Sequence, residues 1–269
     1  MDSTSLRIAR RLAGTLCLTD RGFSAALKSP STPHLFVDIS AHGLGHLAQV
    51  APVLNALRPL LSVQLTIRSA LPTDKLQARI EGPFTHIAGQ SDFGFTMLDA
   101  VTIDYPATAL AYRTQHRDWA GQLAREARFL NSLQASGVLT DVAYLPLAAA
   151  AHAGIPSVSM CSLNWADLFA DAFSGEAWAA PIHRQILDAY NSADCFMRLT
   201  PAMPMPGISR QQSISPLAAL GQNRRQELNS KLPCRPDQKL VLIAFGGFDK
   251  DLRAADWPPR PHLHWLIPN

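Results

Sequence analysis

Long apolar runs are missing from this chain of 269 residues. A helical membrane span needs about 18–20 apolar residues in succession, and the nearest candidate, residues 142–151, is short and carries Pro146. The chain therefore reads as soluble, with no transmembrane segment. Cysteine is scarce as well: Cys17, Cys161, Cys195 and Cys234 are scattered, with no C-x-x-C pair, which excludes a zinc knuckle and a dithiol redox motif. Cys161 and Cys195 lie in apolar, strand-like runs, where a reduced and buried thiol is expected, so the expected compartment is reducing and cytoplasmic. Charge is low, at 17% of residues, and the net charge of +3 resides in residues 1–32, through Arg7, Arg10, Arg11, Arg21 and Lys28 against Asp2 and Asp20. The remaining body is neutral and carries no electrostatic footprint for nucleic acid. What is abundant is apolar material, 47% of residues, enough for a core and too much for general disorder.

The pattern divides the chain into four parts. Residues 1–32 combine an arginine cluster with a short apolar stretch and the Ser29-Pro30-Ser31 segment, and are expected to be a poorly ordered extension; a targeting segment is the competing reading. Residues 33–207 alternate strand and helix. Strands are expected at 34–40, 62–68, 85–88, 138–141, 157–161 and 195–199. Helices are expected at 46–60, 73–80 (capped by Thr73), 106–134, 144–153 (stopped by Gly154) and 182–191. Strands separated by helical patterns mean βαβ units, right-handed crossovers and a parallel sheet, an α/β Rossmann-like fold. Residues 208–236 read as a linker, since 201–236 holds six of the 20 prolines. Residues 237–269 begin a second α/β unit that is too short to bury a core of its own. Its apolar strand at 240–245 would be partly uncovered, and self-association through this incomplete unit is expected.

Ligands of parallel sheets bind at the carboxyl ends of the strands, and the polar residues of interest cluster there. His42-Gly43-Leu44-Gly45-His46 joins the first strand to the first helix. Its glycines allow a tight turn and close approach of an anionic group to the helix N-terminus. The spacing is neither G-x-G-x-x-G, because Ala48 replaces the third glycine, nor a phosphate loop with its lysine. His46 is placed for proton transfer near neutral pH; the plain alternative is that both histidines cap or pack. Asp141 ends the fourth strand. It could orient His46 if the two strands are neighbours, or simply cap a helix. Asn164-Trp165-Ala166-Asp167 follows the fifth strand, where the indole could stack on a sugar face or pack in the core. Asp92 with Gly94, Asp99 and Asp104 offers acids that suit a metal site less well than caps and turns.

Several stretches carry a family resemblance. Residues 37–46, Leu139-Thr140-Asp141 with the Ala-rich helix after it, and residues 153–158 resemble the N-terminal domain of GT-B glycosyltransferases. His42–His46, Asp92-Phe93-Gly94, residues 129–132, 153–158, Asn164-Trp165 and residues 201–206 are more similar still to the glycosyltransferase-like N-terminal region of L-arabinokinases and its stand-alone bacterial relatives. The resemblance covers residues 34–207 and the start of the second unit at 241–247. It implies transfer of a sugar from a nucleotide-sugar donor to the hydroxyl of a small-molecule or glycan acceptor, without a metal or other cofactor. By position, His46 would be the base and Asp141 its orienting partner. His42, Gly43, Gly45, Asp92, Asn164, Trp165 and Asp167 would line the substrate site, and Gly246 and Gly247 would face the cleft from the donor-side unit. The family's second domain is far longer than residues 237–269. The chain is therefore expected to be truncated on the donor side, and as such not to turn over nucleotide-sugars. A non-catalytic sugar- or nucleotide-binding module and a fragment of a GT-B-like sugar-nucleotide epimerase stay open beside the transferase reading.

Overall fold

In a computed structural model, the described residues are 3–17, 32–219, 221–233, 235, 237–244 and 252–267. They fall into two compact units. One runs up to Thr96 and resumes over Asp104–Ala219; the other comprises Met97–Ile103 and the described residues beyond 220.

The first unit is built on a parallel sheet of seven strands: β1 (His34–Ile39), β2 (Gln64–Ser69), β3 (Thr85–Ala88), β6 (Gly137–Asp141), β7 (Ser157–Cys161), β8 (Cys195–Leu199) and β9 (Gln211–Ile214). Their spatial order is β3-β2-β1-β6-β7-β8-β9. Strand β1 is buried at every position, as expected of a strand covered by helices on both faces. Its alternation sorts the core in two. Leu35, Val37 and Ile39 join Leu47, Val50 and Leu54 of α2 (Leu44–Leu57) on one face. Phe36 packs with Ala127 and Leu130 of α5 (Trp119–Ser132) and Ala149 and Ala150 of α6 (Leu145–Ala153) on the other. The chain winds outward from β1 to β3, then returns to pair β6 against the opposite side of β1, with Ile39 level with Asp141. That reversal is the topological switch point, where the crevice of such a sheet opens.

Four expectations are corrected and one element is added. Residues 3–17 are helical (α1, Ser3–Cys17), not poorly ordered. Ile8, Ala9 and Leu12 belong to the same core as α2, while Arg7, Arg10 and Arg11 are exposed. These arginines form the solvent face of an amphipathic helix. Residues 18–31 lie outside the described residues. The expected helix at 106–134 is two, α4 (Tyr105–His116) and α5, because Asp118 caps the second by accepting from the Gly121 amide at 3.1 Å. A Cβ on Gly121 would lie 2.2 Å from the Asp118 carboxylate. Thr73 is not the cap of α3 (Thr73–Gln77): Pro72 holds that position, and the Thr73 hydroxyl meets His86 Nδ1 at 2.8 Å. Residues 208–236 are not all linker: β9 extends the sheet, Ile214 and Leu217 pack on the main core, and α9 (Arg225–Lys231) lies in the second unit. Finally, a helix that the sequence pattern did not show, α7 (Trp165–Ala172), precedes α8 (Ala179–Ser192).

In the second unit, β4 (Met97–Asp99) pairs antiparallel with β5 (Thr102–Ile103), and β10 (Lys239–Leu242) pairs parallel with β11 (Leu263–Leu266). Among the described residues no helix is long and apolar enough to cross a membrane.

The docking of α1 predicts that Leu12→Ala, at a side chain 1% exposed, lowers the unfolding free energy by about 2–4 kcal/mol, whereas Arg10→Ala changes it by no more than about 0.5 kcal/mol. Urea unfolding of both variants measures this; equal effects would mean that α1 contributes nothing to the core.

Candidate functional site

The crevice at the switch point is assembled from the ends of three adjacent strands. Gly43, at φ +91°, lets the chain turn from β1 into α2, and it offers no side chain to cap that helix. Gly45 is different: a Cβ there would meet nothing within 4 Å, so the turn requires only the first of the two glycines. The turn places His46 in the first turn of α2, with its Nδ1 3.0 Å from Asp141 Oδ2. Asp141, the last residue of β6, is fully buried; the His46 side chain keeps 8% exposure. The contact has the length of an ion pair, but neither Asp141 oxygen has a partner that meets hydrogen-bond geometry. Burial pulls the His46 pKa down, yet the charge and proximity of Asp141, with the charge of Asp92, outweigh it and hold the pKa above its ordinary 6.5. His42 goes the other way, lowered by burial and by its neighbour His46.

Trp165 closes the floor. Its indole N–H donates to Asp92 Oδ2 at 2.6 Å, and its ring meets His42, Phe95 and His46 with centroids 5.6, 6.1 and 6.3 Å away. Gly94, at φ +58°, lets the 92–95 loop fold over it: a Cβ there would lie 2.5 Å from the indole. At 1% exposure, Trp165 has no free face on which a sugar could stack, so its role here is to wall the site. Asn164 and Asp167 are likewise occupied with each other. The Asn164 side chain accepts from the Asp167 amide at 2.8 Å and donates to its carboxylate at 2.9 Å, capping α7. Asp104 caps α4 and Asp99 accepts from the Val101 and Thr102 amides, whereas Asp92 lies against Trp165. Gly246 and Gly247 lie outside the described residues.

Two groups of residues beneath the site were not singled out from the sequence. Asp38, buried in β1, accepts from Arg68 Nε at 2.9 Å and from Ser91 Oγ at 2.8 Å, and Arg68 also binds Glu126 of α5 at 2.6 Å. The signal was present: Asp38 and Arg68 interrupt two apolar strands, and they stand at the same register. Behind Asp141, Val142 adopts φ +67°, costly for a β-branched residue. The Tyr190 hydroxyl donates to its carbonyl at 2.6 Å while accepting from the Trp165 amide at 3.1 Å. Tyrosine within a helical pattern gives no hint of such a partner.

Asp92 is pushed up to about 6, first by burial and then by the charge of Asp38, against the donation from Trp165. An acid whose pKa rises on folding stabilises the fold below its unfolded value, and this is lost as pH rises through about 6. Asp92→Asn retains an acceptor for Trp165 without the charge. The variant should exceed the wild type by about 2–3 kcal/mol near pH 8, with the gap closing below about pH 4. Unfolding curves at both pH values test this; a gap independent of pH would contradict it.

No family model matches the chain. It is 27% identical to L-arabinokinase from Arabidopsis thaliana over 229 residues, which is 81% of this chain and 22% of that protein. Among solved structures, the glycosyltransferase of kitacinnamycin superposes with a TM-score of 0.53 at 16% identity, over 88% of this chain and 66% of that one. UGT2 of Phytolacca americana gives a TM-score of 0.47 at 14% identity, over 79% and 59%. The chain thus spans about a fifth of the arabinokinase it resembles and about two thirds of the kitacinnamycin enzyme. Seven parallel strands with helices on both faces, wound out from β1 and back to β6, give this chain the Rossmann-like α/β fold of the GT-B glycosyltransferases, and its sequence is similar to that of an L-arabinokinase.

Proposed function

We propose that the first unit is the acceptor side of a sugar-transferring protein. His46 is the general base for an acceptor hydroxyl and Asp141 its positioning partner. The observation that carries this is the 3.0 Å approach of the His46 Nδ1 to a fully buried carboxylate at the switch point. A carboxylate beside Nδ1 favours the tautomer with the proton on that nitrogen, and leaves the Nε2 lone pair to accept a proton from a hydroxyl. Such a base contributes roughly 10²–10⁴-fold to a rate. Similarity to a protein named for a sugar kinase, and to the fold of a named glycosyltransferase, supports a sugar or glycoside as the acceptor and a nucleotide-sugar as the donor. Gly43 at the uncapped start of α2 supports approach of an anionic group there. Among the described residues, Cys161 and Cys195 are free and buried, which supports a reducing, cytoplasmic setting.

The experiment is a ligand panel of free sugars, sugar alcohols and UDP-, GDP- and dTDP-sugars, read by the carbon-bound ring protons of His46 in NMR, with assignment by His46→Gln. At least one ligand should move the His46 signals saturably while leaving those of His86, remote on β3, in place. A panel in which no ligand moves His46, or in which His46 and His86 move alike, would overturn the assignment.

A further inference from the structure

The chemistry of the crevice extends one strand beyond the pair. Cys161, the last residue of β7, presents its Sγ 4.0 Å from His46 Nδ1. Ligand atoms of His46, Asp141 and Cys161 all lie within 4.8 Å of one another, and all three residues are buried. β6 and β7 pair in parallel, so successive strand ends deliver the carboxylate and the thiol, and α2 brings the imidazole over both. Asp141 is the second sign: both its oxygens are shielded from solvent, and its contacts with the His46 imidazole and the Cys161 thiol fall short of good hydrogen-bond geometry. A buried carboxylate in that condition is strongly unfavourable unless a cation compensates it.

We propose that His46, Asp141 and Cys161 form a binding site for a borderline-soft divalent cation of the zinc type, and that the cation turns the base off. Bonds of about 2.0–2.3 Å in tetrahedral geometry put ligand atoms roughly 3.3–3.7 Å apart. The observed separations of 3.0 Å for His46–Asp141 and 4.0 Å for His46–Cys161 bracket that range, so small side-chain rotations suffice. A set of one nitrogen, one oxygen and one sulfur selects zinc over magnesium, calcium or manganese, which prefer oxygen alone. The thiol must lose its proton on binding, which leaves to solvent. Coordination through Nδ1 uses that lone pair and fixes the ring proton on Nε2, the nitrogen that would otherwise accept from a hydroxyl. This regulatory consequence rests on His46 being the base; the metal site does not.

The test uses the full chain, stripped with chelator and titrated with Co²⁺ and then Zn²⁺. One equivalent of Co²⁺ should produce a thiolate-to-cobalt charge-transfer band that Zn²⁺ abolishes. Cys161→Ala should lose the band and weaken Zn²⁺ binding at least tenfold, and His46→Gln should weaken it similarly, providing a second reading if the cysteine variant does not fold. Cys195→Ala should leave both unchanged. Absence of the band in the wild type, or its survival in Cys161→Ala, would overturn the proposal. Because the readout is metal binding, a negative result here leaves the ligand panel on His46 unaffected, and a negative panel leaves the metal site standing.

Discussion

Carboxylates buried at the ends of adjacent parallel strands govern this structure. Asp38 in β1 and Asp141 in β6 are both without solvent contact, on strands that pair directly. Charge in such a position demands a cation or several donors. Asp38 receives Arg68, a permanent cation that also reaches Glu126 and rests over the rings of Phe36 and Phe129. Asp141 receives an imidazole, with the Cys161 thiol close by. The difference separates a pair whose cation is a permanently charged guanidinium from one whose cation is an imidazole, charged only when protonated. Asp92 accepts from the Trp165 N–H and feels the charge of His46, yet burial and the charge of Asp38 outweigh both and hold its proton more tightly.

The surroundings keep this arrangement from relaxing. Tyr190 ties the strained Val142 carbonyl to the first turn of α7, and so fixes the backbone just after Asp141. Trp165 is wedged between Asp92, Phe95 and the two histidines, with Gly94 permitting the loop to close. Ser91 anchors the same loop to Asp38, and Gln115 of α4 donates to the Ser91 carbonyl at 2.9 Å. His46 and Asp141 are therefore held from several sides, and the His46 side chain keeps a small contact with solvent.

The alternation of strands and helices was legible because apolar periodicity records burial, and β3, β6, β7 and β8 fall where the pattern puts them. His46 and Asp141 could be singled out as residues past strand ends, but their meeting depends on β1 and β6 being neighbours, which linear spacing does not determine. Helix α1 was missed because exposed arginines above an apolar stripe look the same in a targeting signal and in a docked helix. The break before α5 was missed because one capping aspartate outweighs a continuous apolar stripe. Trp165 read as a stacking platform because sequence gives its neighbours and not its cover, and that cover, Gly94 with Asp92, comes from a loop distant in the chain. Cys161 read as an inert core thiol, and only the strand order puts it beside the imidazole.

The most direct measurement is an NMR pH titration of His46 in the wild type and in Asp141→Asn. The wild-type pKa should lie above 6.5 and should fall in the variant, since burial is then opposed only by the charge of Asp92. A His46 titration unchanged by the substitution would contradict the pairing, and would leave Asp141 a buried acid at a strand end with no part in proton transfer.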